Sequence, residues 1–173
     1  TQTITIIDTT SPLLTIPSDY TAECSEDHPM EDASATDNCG EVTLAVVEET
    51  VPGACVGDYI VTRLFTATDD CGNASSATQT ITIIDTTSPL LTIPADYTAE
   101  CSDDLPMDDA SATDNCGAVS VTVIETTIAG DCDGDYSITR DFTATDDCGN
   151  ASSATQTITI VDTTSPLITI PAD

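Results

Sequence analysis

Every second residue from Tyr59 to Ala67 shares one face: Tyr59, Val61, Arg63, Phe65 and Ala67, with a single charge among apolar and aromatic side chains. That period of two predicts a half-buried strand over 59–68. Residues 74–84 alternate in the same way, placing Ala77, Gln79, Ile81 and Ile83 inward and Thr78, Thr80 and Thr82 outward. Over 42–48, Val42, Leu44 and Val46 point inward, with Thr43 and Ala45 outward. Residues 13–16 and 20–24 form a first strand broken by Pro17, as an edge strand often is, and 33–36 a short one. No stretch sustains an apolar period of 3.6. Five to seven antiparallel strands predict a small all-β sandwich.

The whole pattern then recurs. Thr1–Ala77 and Thr78–Ala154 are the same sequence apart from 17 substitutions, and a third copy opens at Thr155. A period of 77 residues is long for a solenoid and suits domains in tandem. The expected boundaries are 8–84 and 85–161 for two complete repeats, with 1–7 the last strand of a preceding repeat and 162–173 the first strand of a following one. DTTSP is the linker, stiffened by Pro12 and Pro89. Partners are then neighbouring repeats of the same chain, or subunits of a homo-oligomeric filament that exchange terminal strands. Neither a signal peptide nor an apolar run of membrane-spanning length is present, so the expectation is an excerpt from a longer secreted chain with no direct membrane insertion.

Aromatic residues are few and Trp is absent, so each core must be small. A domain of this size is only marginally stabilised by burial. Cysteine fits that need: Cys24, Cys39, Cys55 and Cys71 recur as Cys101, Cys116, Cys132 and Cys148. No CxxC occurs and the one histidine, His28, becomes Leu105 in the second copy, which disfavours zinc. Four cysteines per small β module read as disulfides in an oxidising, extracellular compartment. Tracing strand direction puts Cys24 and Cys55 at one pole and Cys39 and Cys71 at the other. A strand of about ten residues spans roughly 33 Å, and bonded Cα atoms lie within about 7 Å. Same-pole pairing is therefore expected, Cys24–Cys55 with Cys39–Cys71 and Cys101–Cys132 with Cys116–Cys148; the swapped pairings stay open.

The formal charge is −29, from 31 acidic residues against two arginines. Nucleic acid is excluded as a partner, since phosphate needs a basic footprint, and anionic lipid is disfavoured. Direction also sorts the acids. Asp8, Asp37, Asp69, Asp70 and Asn73 gather at one pole, and Asp85, Asp114, Asp146, Asp147 and Asn150 are their counterparts. Carboxylates so placed either recruit calcium, which takes 6–8 oxygens in flexible geometry, or simply cap turns and keep the surface solvated. Arg63 and Arg140, inward on their strands, are expected to form structural ion pairs with Glu48 and Glu125. Catalysis finds little to work with: there is no Lys, and His28 has no counterpart, so no enzymatic activity is expected.

The motifs ATDNCG, YxxTRxFTATDxCGN and TQTITIxDTT, present in both copies, resemble the hyalin-repeat (HYR-like) family. The nearest likeness is to its four-cysteine version in long bacterial surface proteins. The resemblance implies tandem immunoglobulin-like sandwiches, secretion to the cell surface, and a role in cell adhesion as a stalk or filament. It brings no catalytic residues. The alternative function is a calcium-dependent glycan- or surface-binding module, for which Tyr20 and Tyr97 are the only aromatic candidates beside the acids.

Overall fold

The computed structural model describes residues 1–170, and among these there is no helix. The chain divides into two compact units. Thr1–Thr86 with the short segment Asn115–Gly117 form the first; Thr87–Asp114 and the chain from Ala118 onward form the second. The first unit contains β1 (Leu13–Thr15), β2 (Tyr20–Glu23), β3 (Ser34–Thr36), β4 (Val42–Pro52), β5 (Tyr59–Asp69) and β6 (Ala74–Ile84). The second contains β7 (Leu90–Thr92), β8 (Tyr97–Glu100), β9 (Ser111–Thr113), β10 (Val119–Ala129), β11 (Tyr136–Asp146) and β12 (Ala151–Val161).

Each unit is a two-layer sandwich of immunoglobulin-like type. In the first, a four-stranded sheet of order β2-β6-β5-β4 faces the pair β1-β3; in the second, β8-β12-β11-β10 faces β7-β9. Pro17 lies where the broken first strand changes layer: β1 pairs with β3, while β2 joins β6 across the sandwich. Proline supplies no ladder donor, so the crossing falls where the ladder must stop anyway. The β2–β6 pairing is parallel, Tyr20 opposite Ile81 and Glu23 opposite Ile84, where the sequence predicted antiparallel strands throughout.

The inward faces of β5 and β6 make the core. Val61, Ile81 and Ile83 are buried together, with Tyr20, Ala22, Cys24 and Tyr59 packed against them. Phe65 and Ala67 continue the row, and Phe142, Ala144, Ile158 and Ile160 do the same in the second unit. The expected inward face of β4 is not covered: Leu44 and Val46 remain 42% and 47% exposed. The facing strands β1 and β3 are three residues long each, too short to roof an edge strand of eleven. Residues 1–12 and 162–170 form no strand, and Ile4, Ile6 and Ile7 stand largely exposed. A strand requires a neighbour to satisfy its backbone, and these segments have none among the described residues; 171–173 lie outside them.

One polar row crosses each large sheet. Glu48, Arg63 and Gln79 lie opposite one another on β4, β5 and β6. Arg63 Nε donates to Glu48 Oε1 at 2.8 Å. Its Nη1 donates to Gln79 Oε1 at 3.2 Å and to the Glu31 carbonyl at 2.7 Å, and Gln79 Nε2 donates to the Ser18 carbonyl at 2.9 Å. The guanidinium also sits 4.9 Å from the centre of the Phe65 ring. Arg63 is 3% exposed and Gln79 1%. The second unit repeats every bond with Arg140, Glu125, Gln156, the Asp108 and Ala95 carbonyls and Phe142.

Arg63→Met keeps the apolar stem but strands the buried Gln79 amide oxygen and takes the donor from the Glu31 carbonyl. The expected loss is about 2–4 kcal/mol in urea unfolding, against about 1 kcal/mol or less for Glu48→Gln, whose carboxylate is half-exposed. Equal effects of the two changes would refute this ranking.

Candidate functional site

At one end of the first unit the turns that close its strands carry three aspartates. After β5 the chain turns through DDCGN. Asp69 Oδ1 accepts the amides of Cys71 and Asn73, each at 2.9 Å, and its Oδ2 accepts Asn73 Nδ2 at 2.8 Å. Gly72, at φ +89°, supplies the left-handed residue this tight turn needs. In ATDNCG, Asp37 Oδ2 accepts the Cys39 amide at 2.8 Å. Asp8 Oδ1 accepts the Thr10 amide at 3.0 Å, and the Asp8 carbonyl receives Asn73 Nδ2 at 3.3 Å.

Each carboxylate thus fastens its own turn, and the three converge. One oxygen from each of Asp8, Asp37 and Asp69 lies within 4.8 Å of the others. Asp8 Oδ2 and Asp37 Oδ1 are buried and have no hydrogen-bond partner. Two orphaned anionic oxygens beside a third carboxylate are a costly arrangement without a cation. The donor set is all oxygen, which suits a hard divalent ion of calcium type.

The sequence placed Asp8, Asp37 and Asp69 together, and they meet. Asn73 turns its NH2 group to the cluster, so it acts as a clasp on Asp69 and Asp8; a donor cannot face a cation. Asp70 is exposed and lies outside the triad. Among the counterparts, Asp146 is clasped in the same way by Asn150 and the Cys148 amide. Asp114 and Asp147 lie in turns of the second unit. Asp85 belongs to the first unit, 7% exposed, its amide donating to Asp58 Oδ1 at 3.0 Å. Asp58 was not foreseen; its position in the GDY turn of both copies was the available signal. Thr86 was also missed: its hydroxyl and amide both donate to the Glu23 carboxylate and hold it below its ordinary titration range.

The cysteines correct the expected pairing. Cys24 is bonded to Cys116, 92 residues away, with Cα atoms 6.0 Å apart. Cys55 and Cys148 are disulfide-bonded too. Cys39, Cys71, Cys101 and Cys132 are free and exposed. Cys24–Cys55, Cys116–Cys148, Cys39–Cys71 and Cys101–Cys132 are therefore not formed, nor are two disulfides per repeat. Lateral strand order explains the first. Cys24 follows β2 and Cys55 follows β4, which are opposite edges of a four-stranded sheet. Three strand spacings are roughly 14 Å, about twice the reach of a disulfide. Cys101 and Cys132 are separated in the same way, after β8 and β10. In the ATDNCG turn the sulfur instead receives its neighbouring asparagine, Asn38 to Cys39 at 3.5 Å and Asn115 to Cys116 at 2.8 Å.

Residues 89–160 match the family model of the HYR-like domain with 4 cysteines. Across nearly the whole chain the sequence is also similar to Hyalin of Strongylocentrotus purpuratus, 34% identical over 99% of this chain, and to Hyalin of Lytechinus variegatus, 32% identical over 96%. The chain spans 16% and 34% of the lengths of those relatives. Both are sea-urchin proteins, so the expected bacterial origin finds no support. Drosophila N-cadherin EC1-4 aligns over 88% of this chain and 50% of its own at 17% identity and a TM-score of 0.37, too distant a likeness to carry an argument. Among the described residues no helix is long and apolar enough to cross a membrane.

The Asp69 clasp has a pH signature. The Asn73 side chain first, then backbone amides, hold its carboxyl below the ordinary 3.8 against the opposing effect of burial. A depressed folded value means the stabilisation is complete above that ordinary value and is lost as pH falls through the folded one. Melting temperature followed from about pH 5 to pH 2.5 should fall less steeply in Asn73→Ala than in the parent. Parallel acid limbs would show that the clasp contributes nothing.

Proposed function

We propose that this chain is a spacer segment of an extracellular adhesion-type repeat protein, with calcium held in its HYR-like repeats by Asp8, Asp37 and Asp69. The observation that carries the reading is the convergence of these three carboxylates with two buried oxygens lacking partners. Three of the ligands calcium requires are in place, and turn carbonyls and water complete a shell of 6–8. Bound there, the ion supplies charge neutralisation and fixes the segment at Asp8 to the turns after β3 and β5. A spacer needs stiffness, solubility and no reactive machinery. The acidic surface, the oxidised cysteines and the sequence likeness to Hyalin over almost the full chain support that role. The glycan-binding alternative gains nothing: Tyr20 and Tyr97 spend their hydroxyls on the Pro29 and Pro106 carbonyls.

Extracellular modules bind calcium with dissociation constants of about 10⁻⁴–10⁻³ M. At about 2 mM calcium such a site adds roughly 0.6–1.8 kcal/mol over EDTA, a rise of about 3–10 °C for a unit of this size. Asp37→Asn should abolish the rise while melting no lower than the parent in EDTA, because one of three mutually repelling charges is gone. An identical melting curve with and without calcium removes the metal from this reading.

A further inference from the structure

Among the described residues, β4 pairs with β5 alone and forms one edge of its sheet. Its 11 residues keep an unbroken register with β5, and no proline precedes its last residue, Pro52. Alternate amides and carbonyls of such a strand point away from the sheet, ready to pair with another chain. Long edges are ordinarily blunted by shortness, bulges, proline or lysine. This one carries acid instead. Glu48 is already engaged by Arg63, while Glu49 stands exposed on the outward face, with Glu41 just ahead of the strand.

Around Glu49 the outward face is apolar. Val47 lies opposite Leu64 and Val51 opposite Ile60, and all four side chains are exposed. Along the strand the outward order is therefore Val47, Glu49, Val51: apolar, anionic, apolar. The inward face is open at the same edge, where Leu44 and Val46 line a hollow with Phe65, Ala33 and Asp32. The second unit keeps an edge strand, β10, but not this patch. Ser137 and Asp141 replace Ile60 and Leu64, and Thr126 replaces Glu49.

We propose that the β4 edge of the first unit is a docking site for an extended basic segment of a different protein, which adds to the sheet as a further strand. Its backbone completes the bonds β4 leaves open, its apolar side chains lie against Val47 and Val51, and a Lys or Arg meets Glu49. Charge selects the occupant. The formal charge is −29 and both arginines are buried in the polar rows, so a second copy has no Lys or Arg to offer an exposed edge. A basic strand is drawn by the same acids that turn a like copy away. This gives the spacer a partner and needs no calcium, so its failure would leave the spacer reading untouched.

The probe is a capped peptide of about nine residues, enough to cover roughly 30 Å of edge, built on Val-Thr-Lys-Thr-Val with lysine at both ends. Added to the 173-residue chain, it should slow hydrogen exchange in β4 and leave β10 unchanged. Glu49→Lys should weaken binding about tenfold, since it turns an attraction into a repulsion. V47T/V51T keeps shape and strand preference at two exposed sites, and should weaken binding by about the same factor. Both variants should melt within a few degrees of the parent. A peptide of equal composition with its lysines clustered at one end should bind at least about tenfold more weakly. Absence of binding, equal affinity for the clustered peptide, protection shared equally with β10, or affinity unmoved by either variant would each overturn the proposal. So would protection of β4 that grows with protein concentration in the absence of peptide, which would make a second copy the occupant.

Discussion

A buried guanidinium holds the centre of each unit, and the rest of the sandwich is arranged to satisfy it. A charge 3% exposed survives only when its donors are matched, and Arg63 finds its acceptors on three separate parts of the chain. Two are cross-strand neighbours, so the register of β4, β5 and β6 is fixed by the same row. A slip of one residue would carry Arg63 to the outer face and leave Gln79 without its partner. The third bond, to the Glu31 carbonyl, and the reach of Gln79 to Ser18 tie the large sheet to the segments leading into the facing layer. The aliphatic core beside this row is only a few residues, too little to select one packing unaided. Here the polar row supplies specificity and the apolar residues supply the driving force.

The thin roof explains the surface. β4 forms one edge of the sheet, and Leu44, Val46, Val47 and Val51 on it are all exposed. Such an edge invites pairing with another strand. Glu41, Glu48 and Glu49 sit within or beside it, and the whole surface is anionic. Like charges on approaching copies oppose lateral association along that edge. Acidity is therefore a constraint on how these units meet as well as a source of solubility.

The strands were legible in the sequence because a buried face imposes its period of two on every residue of β5 and β6. The three aspartates were legible because following strand direction sorts turns by pole, and turns at one pole are close. Two features were hidden. The parallel β2–β6 pairing depends on where the chain crosses between layers, which alternation does not record. The exposure of β4 depends on the length of the strands facing it, and its own pattern reads as inward all the same. Gln79 could be seen on the inward face, but its role required knowing that it stands opposite Arg63.

The cysteine pairing shows which effect decides when entropy and geometry compete. In the chain-entropy treatment a sequence separation of 92 restrains the unfolded state by about 4.6 kcal/mol, against about 3.7 kcal/mol for the separation of 31 from Cys24 to Cys55. A difference of about 1 kcal/mol would not by itself select between them. Distance does: opposite edges of a four-stranded sheet cannot be bridged without moving backbone, whatever pole the residues share. Pole and edge are separate coordinates, and strand direction yields only the first. The second follows from strand order, and in this sandwich it is what denies Cys24 a partner after β4 of its own sheet.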